Sequence, residues 1–182
     1  MLNEAEREEL LNIARTSVQS ALEGKAFDLI SSSEALKREG GVFVTLHKKG
    51  ELRGCIGIFE SNKALYETVP AMAQSAAFKD PRFSPLQADE MEDVDFEISV
   101  LSPLREISDI KEIEIGKHGI YVTKDFNRGV LLPQVATEQG WDLETFLSHT
   151  CLKAGLPFDE WKRGVKIEIF SAQVFGEKME CN

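Results

Sequence analysis

The N-terminal part of the chain shows a helical pattern of apolar residues. These residues recur three and four positions apart from Leu10 to Leu22, in a segment that is otherwise polar and acidic. Asn3 precedes the segment with Glu6 three positions later, and Gly24 follows its last apolar residue. The pattern predicts an amphipathic helix with a capping box at its start and a left-handed glycine after its end.

A β-hairpin is predicted next, from GVFVTL (residues 41–46) through the turn HKKG to ELRGCIGIFE (residues 51–60). Gly50 supplies the positive φ that a tight hairpin turn requires. Successive side chains of a strand point to opposite faces. If Leu52, Ile56 and Ile58 face the core, Arg53 and Cys55 point together to the other side.

The rest of the chain alternates between helical and strand-like segments. A helix is expected in SNKALYETVPAMAQSAAF, where Pro70 must kink it or begin a second helix. Strands are expected in VDFEISVL, GIYVT, RGVLLPQ and VKIEIF, and a further helix in WDLETFLSHTCLKAG. Hairpins separated by blocks of helix predict an α+β fold with a mostly antiparallel sheet.

Charge and composition narrow the function classes. The 182 residues include 21 basic and 31 acidic side chains, a net charge of −10, so nucleic-acid binding is not expected. A small anionic ligand in a local basic pocket remains compatible with this balance. No apolar run approaches the roughly 20 residues of a membrane span, and the acidic start does not resemble a signal peptide. We therefore expect an acidic cytoplasmic protein that does not bind membranes.

The cysteines are few and far apart. Cys55, Cys151 and Cys181 predict neither a disulfide framework nor, with three dispersed histidines, a metal site. No cofactor-binding motif occurs, so no cofactor is expected. Cys151 lies on the apolar stripe of its helix and is expected in the core, whereas Cys181, one residue from the end, is expected to be disordered.

Cys55 is the main chemical candidate, and two interpretations of it stay open. In the first, Arg53 is a neighbouring cation that favours the thiolate, and Gly57 leaves open space beside the sulfur. In the second, Gly54 and Gly57 serve a bulge or close packing, and Cys55 is a small buried hydrophobe. His118 in GKHGI is either a general base or an ordinary turn residue.

Six segments together carry a resemblance to a known family. They are LRGCIG (52–57), FKDPRFSPL (78–86), FEISVLSPL (96–104), GKHGI (116–120), GVLLPQVATEQGW (129–141) and FLSHTCLKAGLP (146–157). In this order they resemble the AMMECR family, whose prokaryotic members are labelled AmmeMemoRadiSam system protein A. The resemblance covers nearly the whole chain, so residues 1–182 are expected to form one AMMECR-type domain.

The resemblance implies an α+β fold with larger and smaller subdomains, for which we expect the smaller within about residues 50–95. It also implies a groove near the signature segments and an association with Memo-like and radical S-adenosylmethionine proteins. It implies no particular reaction. Whether the chain is an enzyme therefore stays open.

With the resemblance, the polar residues of the signature segments become site candidates. The catalytic candidates are Cys55 as nucleophile or redox thiol, Arg53 as its activating cation, and Glu97 or His118 as proton carriers. The ligand-binding candidates are Gly54, Gly57, Asp80, Arg82, Gln134 and Lys153.

Two functions remain for these candidates. One is a thiol-dependent enzyme or enzyme subunit, and the other is a non-catalytic module that holds a peptide or protein partner in the same groove. In either case Arg82 is expected to form one wall of the Cys55 cleft, unless Asp80 merely caps a turn in a connecting loop.

Overall fold

The structure, a computed structural model, describes residues 1–28 and 33–178. It has an α+β fold with antiparallel strand pairs, as predicted. The chain divides into a larger unit, Met1–Leu101 with the chain from Gln173 onward, and a smaller unit, Ser102–Ala172. Residues 50–95, where we expected the smaller subdomain, lie in the larger unit. The hairpin and helix of that region share one core with the N-terminal helix.

Two helices cover one face of the larger unit. Helix α1 (Glu4–Leu22) has the predicted capping box between Asn3 and Glu6, and Gly24 follows it with a φ of +66°. Helix α2 (Leu65–Phe78) continues through Pro70, which lies in its second turn. A proline this close to the helix start removes one backbone hydrogen bond without ending the helix, so the segment is one helix rather than two.

The sheet of the larger unit contains β1 (Val42–Lys48), β2 (Glu51–Ile58) and β3 (Val94–Leu101) in the order β2-β1-β3. Lys49 and Gly50, both with positive φ, form the predicted turn between β1 and β2. Val44 is fully buried at the centre of the core face and pairs with Ile56 on one side and Ile98 on the other.

A β-bulge interrupts the hairpin. Leu46 pairs with Gly54 whereas His47 pairs with Leu52, so Arg53 is an extra residue in β2. The bulge reverses the alternation on its N-terminal side. For this reason the expectation that Leu52 faces the core is wrong, and its side chain is exposed.

Gly54 allows α2 to pack directly on β2, which leads to a stability prediction. A Cβ atom at Gly54 would lie 2.3 Å from the carbonyl oxygen of Ala76. We expect Gly54→Ala to lower the free energy of unfolding by about 2 kcal/mol, because a helix backbone must move. Urea denaturation measures this. Gly40→Ala is the control, since its nearest neighbour would be 3.6 Å away. Equal stability of the two variants would contradict close packing at Gly54.

The smaller unit contains a second set of paired strands. They are β4 (Arg105–Glu106), β5 (His118–Lys124), β6 (Asn127–Leu131) and β7 (Lys166–Gly176), whose last residues belong to the larger unit. β5 pairs with both β6 and β7, and β4 pairs with β7. The predicted strand RGVLLPQ ends at Leu131. Pro133 instead begins helix α3 (Pro133–Gln139), because proline is favourable in the first turn of a helix.

Helix α4 (Leu143–Lys153) packs its apolar face into the core of the smaller unit. Asp142 caps its start, as expected, and Gly155 follows with a φ of +73°. Cys151 is fully buried there beside Phe146 and Leu147, and burial raises the pKa of its thiol. Its predicted core role is confirmed. Along the described chain, no helix is both long and apolar enough to cross a bilayer.

Candidate functional site

Three residues lie side by side across the sheet of the larger unit. Cys55 of β2 pairs with Thr45 of β1, and Thr45 pairs on its other side with Glu97 of β3. All three are half-buried, on the sheet face opposite the core residue Val44. We call Cys55, Thr45 and Glu97 the Cys55 row.

The Thr45 hydroxyl donates a hydrogen bond to Sγ of Cys55 at 3.2 Å. Sequence reasoning missed Thr45 because of the bulge. A regular hairpin that pairs Lys48 with Glu51 would place Val44 opposite Cys55, and the extra residue Arg53 moves Thr45 into that position. The glycines near the cysteine were the signal for a bulge, but they did not specify where it lies.

Asp80 binds the main chain of Cys55. Its Oδ2 accepts from the Cys55 amide at 2.9 Å, and its Oδ1 accepts from the Arg82 amide at 3.1 Å. The Asp80 side chain is 1% exposed. Its carboxylate therefore takes the position of a hydrogen-bonding neighbour along the free edge of β2.

Arg82 completes this arrangement. Its Nε and Nη2 donate to the Asp80 carboxylate at 3.0 and 2.7 Å, and Nη2 is 3.4 Å from the Cys55 carbonyl oxygen. These bonds hold the pKa of Asp80 far below its usual range. The structure thus places Arg82 beside Cys55, and Asp80 also caps the turn. The Arg82 side chain is 54% exposed, so part of the guanidinium faces solvent.

Arg53 has a different partner from the one expected. Its Nε and Nη2 donate to the Glu90 carboxylate at 3.1 and 2.9 Å, and Lys48 Nζ approaches the same carboxylate at 2.8 Å. The pKa of Glu90 is lowered to about 2, mainly by the hydrogen bond from Arg53. We expected Arg53 to be the cation next to the thiol. Because it lies in the bulge, it binds Glu90, and Arg82 is the guanidinium that contacts Cys55.

The two signature glycines both permit close packing. Gly54 lies against the backbone of α2, as described above. A Cβ atom at Gly57 would lie 2.3 Å from the ring of Phe43, which also contacts Phe59 edge-on at 4.8 Å. The space that we expected to be open beside the sulfur is therefore filled by Phe43.

The remaining candidates lie in the smaller unit. His118 begins β5, and its Nδ1 accepts from the Glu114 amide at 3.1 Å, which is the geometry of a turn residue. Gln134 is the second residue of α3 and is half-buried, and Lys153 is exposed at the end of α4. His149 stacks on the Trp141 ring at 4.0 Å.

Metal ligands do not converge in residues 1–28 and 33–178. No three histidine, cysteine, aspartate or glutamate side chains there are placed to hold one ion. Cys181, expected to be disordered, lies outside the described residues. The expected absence of a metal site stays a prediction.

The AMMECR1 family model matches residues 11–175 of the chain. The chain belongs to the AMMECR1 family. This confirms the resemblance seen in the six segments. The match includes every candidate site residue from Arg53 to Lys153.

AMMECR1-family relatives match this chain over most of their length. One from Methanocaldococcus jannaschii is 46% identical over 173 residues, which cover 90% of this chain and 86% of the relative. One from Methanopyrus kandleri is 47% identical and covers 95% and 89%. The crystal structure of an uncharacterised protein from Pyrococcus horikoshii is 38% identical, with a TM-score of 0.84, over 94% of this chain and 91% of that one. These relatives establish family and fold and assign no reaction.

Proposed function

We propose that Cys55 is a reactive thiol and that the chain is a thiol-dependent enzyme or enzyme subunit. The proposal depends mainly on the hydrogen bond from the Thr45 hydroxyl to Sγ on the sheet face away from the core. A donor to sulfur favours the thiolate, which is the nucleophilic form of cysteine. Cys55 is also half-buried rather than fully enclosed, which is compatible with access of a substrate.

The clamp on the Cys55 main chain supports this assignment. Asp80 accepts from its amide, and the guanidinium of Arg82 lies near its carbonyl oxygen. The hydrogen bond that Arg82 donates to Asp80 raises the pKa of Arg82, and the interaction with Cys55 adds to the increase. The backbone that carries the thiol is thus fixed, which favours a preorganised nucleophile.

The proposed step is a nucleophilic attack. The thiol gives its proton to solvent water, and the sulfur electron pair forms a bond to an electrophilic carbon of the substrate. The leaving group departs with the electrons of the broken bond and takes up a proton from solvent. Glu97 is two strand spacings from Cys55, about 9.6 Å. We therefore assign Glu97 to contact with the substrate rather than to direct proton transfer from Sγ.

We further propose that this activity takes place in the cytoplasm with Memo-like and radical S-adenosylmethionine proteins. The support for these partners is the family resemblance. The net charge of −10 favours basic patches on a partner surface.

Selective alkylation tests the thiol proposal. At pH 7 we expect iodoacetamide to modify Cys55 about tenfold faster than glutathione, an unperturbed thiol with a pKa near 8.5. Thr45→Val should slow the reaction about fivefold, because sulfur loses its hydrogen-bond donor. Thr16→Val, on the exposed surface of α1, is the matched control. Peptide mass spectrometry follows each cysteine separately.

Two results would contradict a reactive thiol. One is labelling of Cys55 as slow as that of the buried Cys151. The other is labelling at the glutathione rate with no effect of Thr45→Val. Retained activity of Cys55→Ser in any assay of the assembled system would also exclude a nucleophilic role.

The alternative, a non-catalytic binding module, is favoured by one observation. Among the described residues, the side chain hydrogen-bonded to Sγ is a neutral hydroxyl, not an imidazole or a carboxylate. A module of this type should retain binding of a purified Memo-like protein after Cys55→Ser, since serine has nearly the same shape as cysteine. Titration calorimetry with the original chain and with Cys55→Ser separates the two functions.

A further inference from the structure

The two arginines near Cys55 have partners already. Arg53 forms a bidentate pair with Glu90, and Arg82 forms one with Asp80. Each guanidinium charge is therefore balanced by a carboxylate within hydrogen-bond distance. This arrangement weakens the expectation that the Cys55 site selects an anion.

At the opposite end of the Cys55 row, the charged side chain of Glu97 is unpaired within the described part of the chain. Glu97 lines an open pocket whose other lining residues are His47, Gly50, Asp95, Phe96, Gly176, Glu177 and Lys178. The other carboxylates around this pocket are paired, Asp95 with Lys178 at 2.5 Å and Glu177 with Arg15 at 2.6 Å. Within residues 1–28 and 33–178, no side chain forms a hydrogen bond or ion pair with the carboxylate of Glu97. It is the uncompensated charge of the pocket.

The backbone next to Glu97 keeps the carboxylate accessible. Gly176 has no side chain there, and a Cβ atom at this position would lie 3.5 Å from the Cβ atom of Glu97. On its other side Glu97 has only the short side chain of Thr45. A ligand group can therefore approach Glu97 from the open side of the sheet.

We infer that this pocket binds a primary ammonium group of the substrate, with Glu97 as its counter-ion; this inference rests on the proposed function of Cys55 as a reactive thiol. A carboxylate about 9.6 Å from the sulfur disfavours the negative charge of a thiolate. A bound ammonium group neutralises that carboxylate. Substrate binding then increases the thiolate fraction of Cys55, so the thiol becomes most reactive when the substrate is in place.

The test measures the alkylation rate of Cys55 at pH 7 with and without butylammonium chloride as probe. Sodium butyrate and sodium chloride at the same ionic strength are the controls. We expect butylammonium to increase the rate saturably, by about threefold, since one charge about 9.6 Å away in a mixed water and protein medium has an effect of that order. Neither control salt should increase it.

Two variants separate the role of Glu97 from the effect of the protein's overall negative charge. Glu97→Gln should raise the basal rate about threefold and abolish the response to butylammonium. Glu92→Gln changes an exposed carboxylate just before the same strand, outside the pocket, and should preserve the response. Melting temperatures are measured to check that both variants are folded.

The outcomes distinguish this inference from the proposed function. If Cys55 is no more reactive than Cys151 under every condition, the thiol proposal itself fails. If Cys55 is reactive but butylammonium acts no differently from sodium chloride, the ammonium site is wrong and the thiol proposal stands. An undiminished response in Glu97→Gln likewise overturns the role of Glu97.

Discussion

Replacement of Asp80 by alanine is expected to lower the free energy of unfolding by about 3 kcal/mol, since each backbone amide left without its acceptor costs about 1–3 kcal/mol. The substitution leaves the Cys55 amide and the Arg82 amide without their acceptor and the guanidinium without its partner. The Arg82 head group can rehydrate because it is partly exposed. The loss therefore arises mainly from the two amides and from the turn that Asp80 holds.

Urea denaturation at pH 7 measures the effect of Asp80→Ala. Asp89→Ala is the matched control, because Asp89 is exposed. Its unfolding free energy should stay within about 0.5 kcal/mol of the original chain. If Asp80→Ala and Asp89→Ala are equally stable, the hydrogen bonds of Asp80 contribute nothing to the free energy of unfolding.

Arg82→Ala extends this argument to the other half of the pair. If Arg82 formed only a wall of the Cys55 cleft, this change would weaken binding with little effect on the melting temperature. The ion pair indicates otherwise, because it would leave the buried Asp80 carboxylate without its guanidinium. We expect Arg82→Ala to lower the melting temperature clearly as well.

Elements with local signals could be predicted from the sequence. Helix α1 was recognisable because Asn3, Glu6 and Gly24 act within one or two turns of its ends. The hairpin was recognisable because Gly50 and the apolar run before it are adjacent in sequence. These signals depend on the nearest residues, so no knowledge of the tertiary structure was needed.

The site depended on features that are not local. The bulge at Arg53 shifts the register by one residue, which decides whether Val44 or Thr45 lies opposite Cys55. The bond from the Cys55 amide to Asp80 joins residues 25 positions apart. Neither feature follows from periodicity, since the bulge changes the register within β2 and the bond to Asp80 joins β2 to the loop after α2. The sequence therefore suggested candidate residues but not which of them touch.

Glu90 is predicted to stabilise the larger unit in a pH-dependent way. Its carboxylate accepts from Arg53 and Lys48, and the side chains of Arg53 and Glu90 are only 12% and 16% exposed. Its pKa of about 2 lies below the ordinary value of 4.5. Because the folded state lowers the pKa, the stabilisation is complete above pH 4.5 and is lost as the pH falls towards 2.

We expect Glu90→Gln to lower the free energy of unfolding by about 3 kcal/mol at pH 7, since the pKa difference of about 2.5 units corresponds to about 3.5 kcal/mol at about 1.4 kcal/mol per unit. At pH 2.5 the difference from the original chain should shrink to less than half, because Glu90 is then almost fully protonated in the unfolded state and partly protonated in the folded state. Urea denaturation at the two pH values measures this change. Glu92 is an exposed residue of the 3₁₀ segment Ala88–Asp93, which also contains Glu90. Glu92→Gln should show no such dependence on pH. A stability difference for Glu90→Gln that is equal at both pH values would mean that the contacts of Arg53 and Lys48 do not depend on the charge of Glu90.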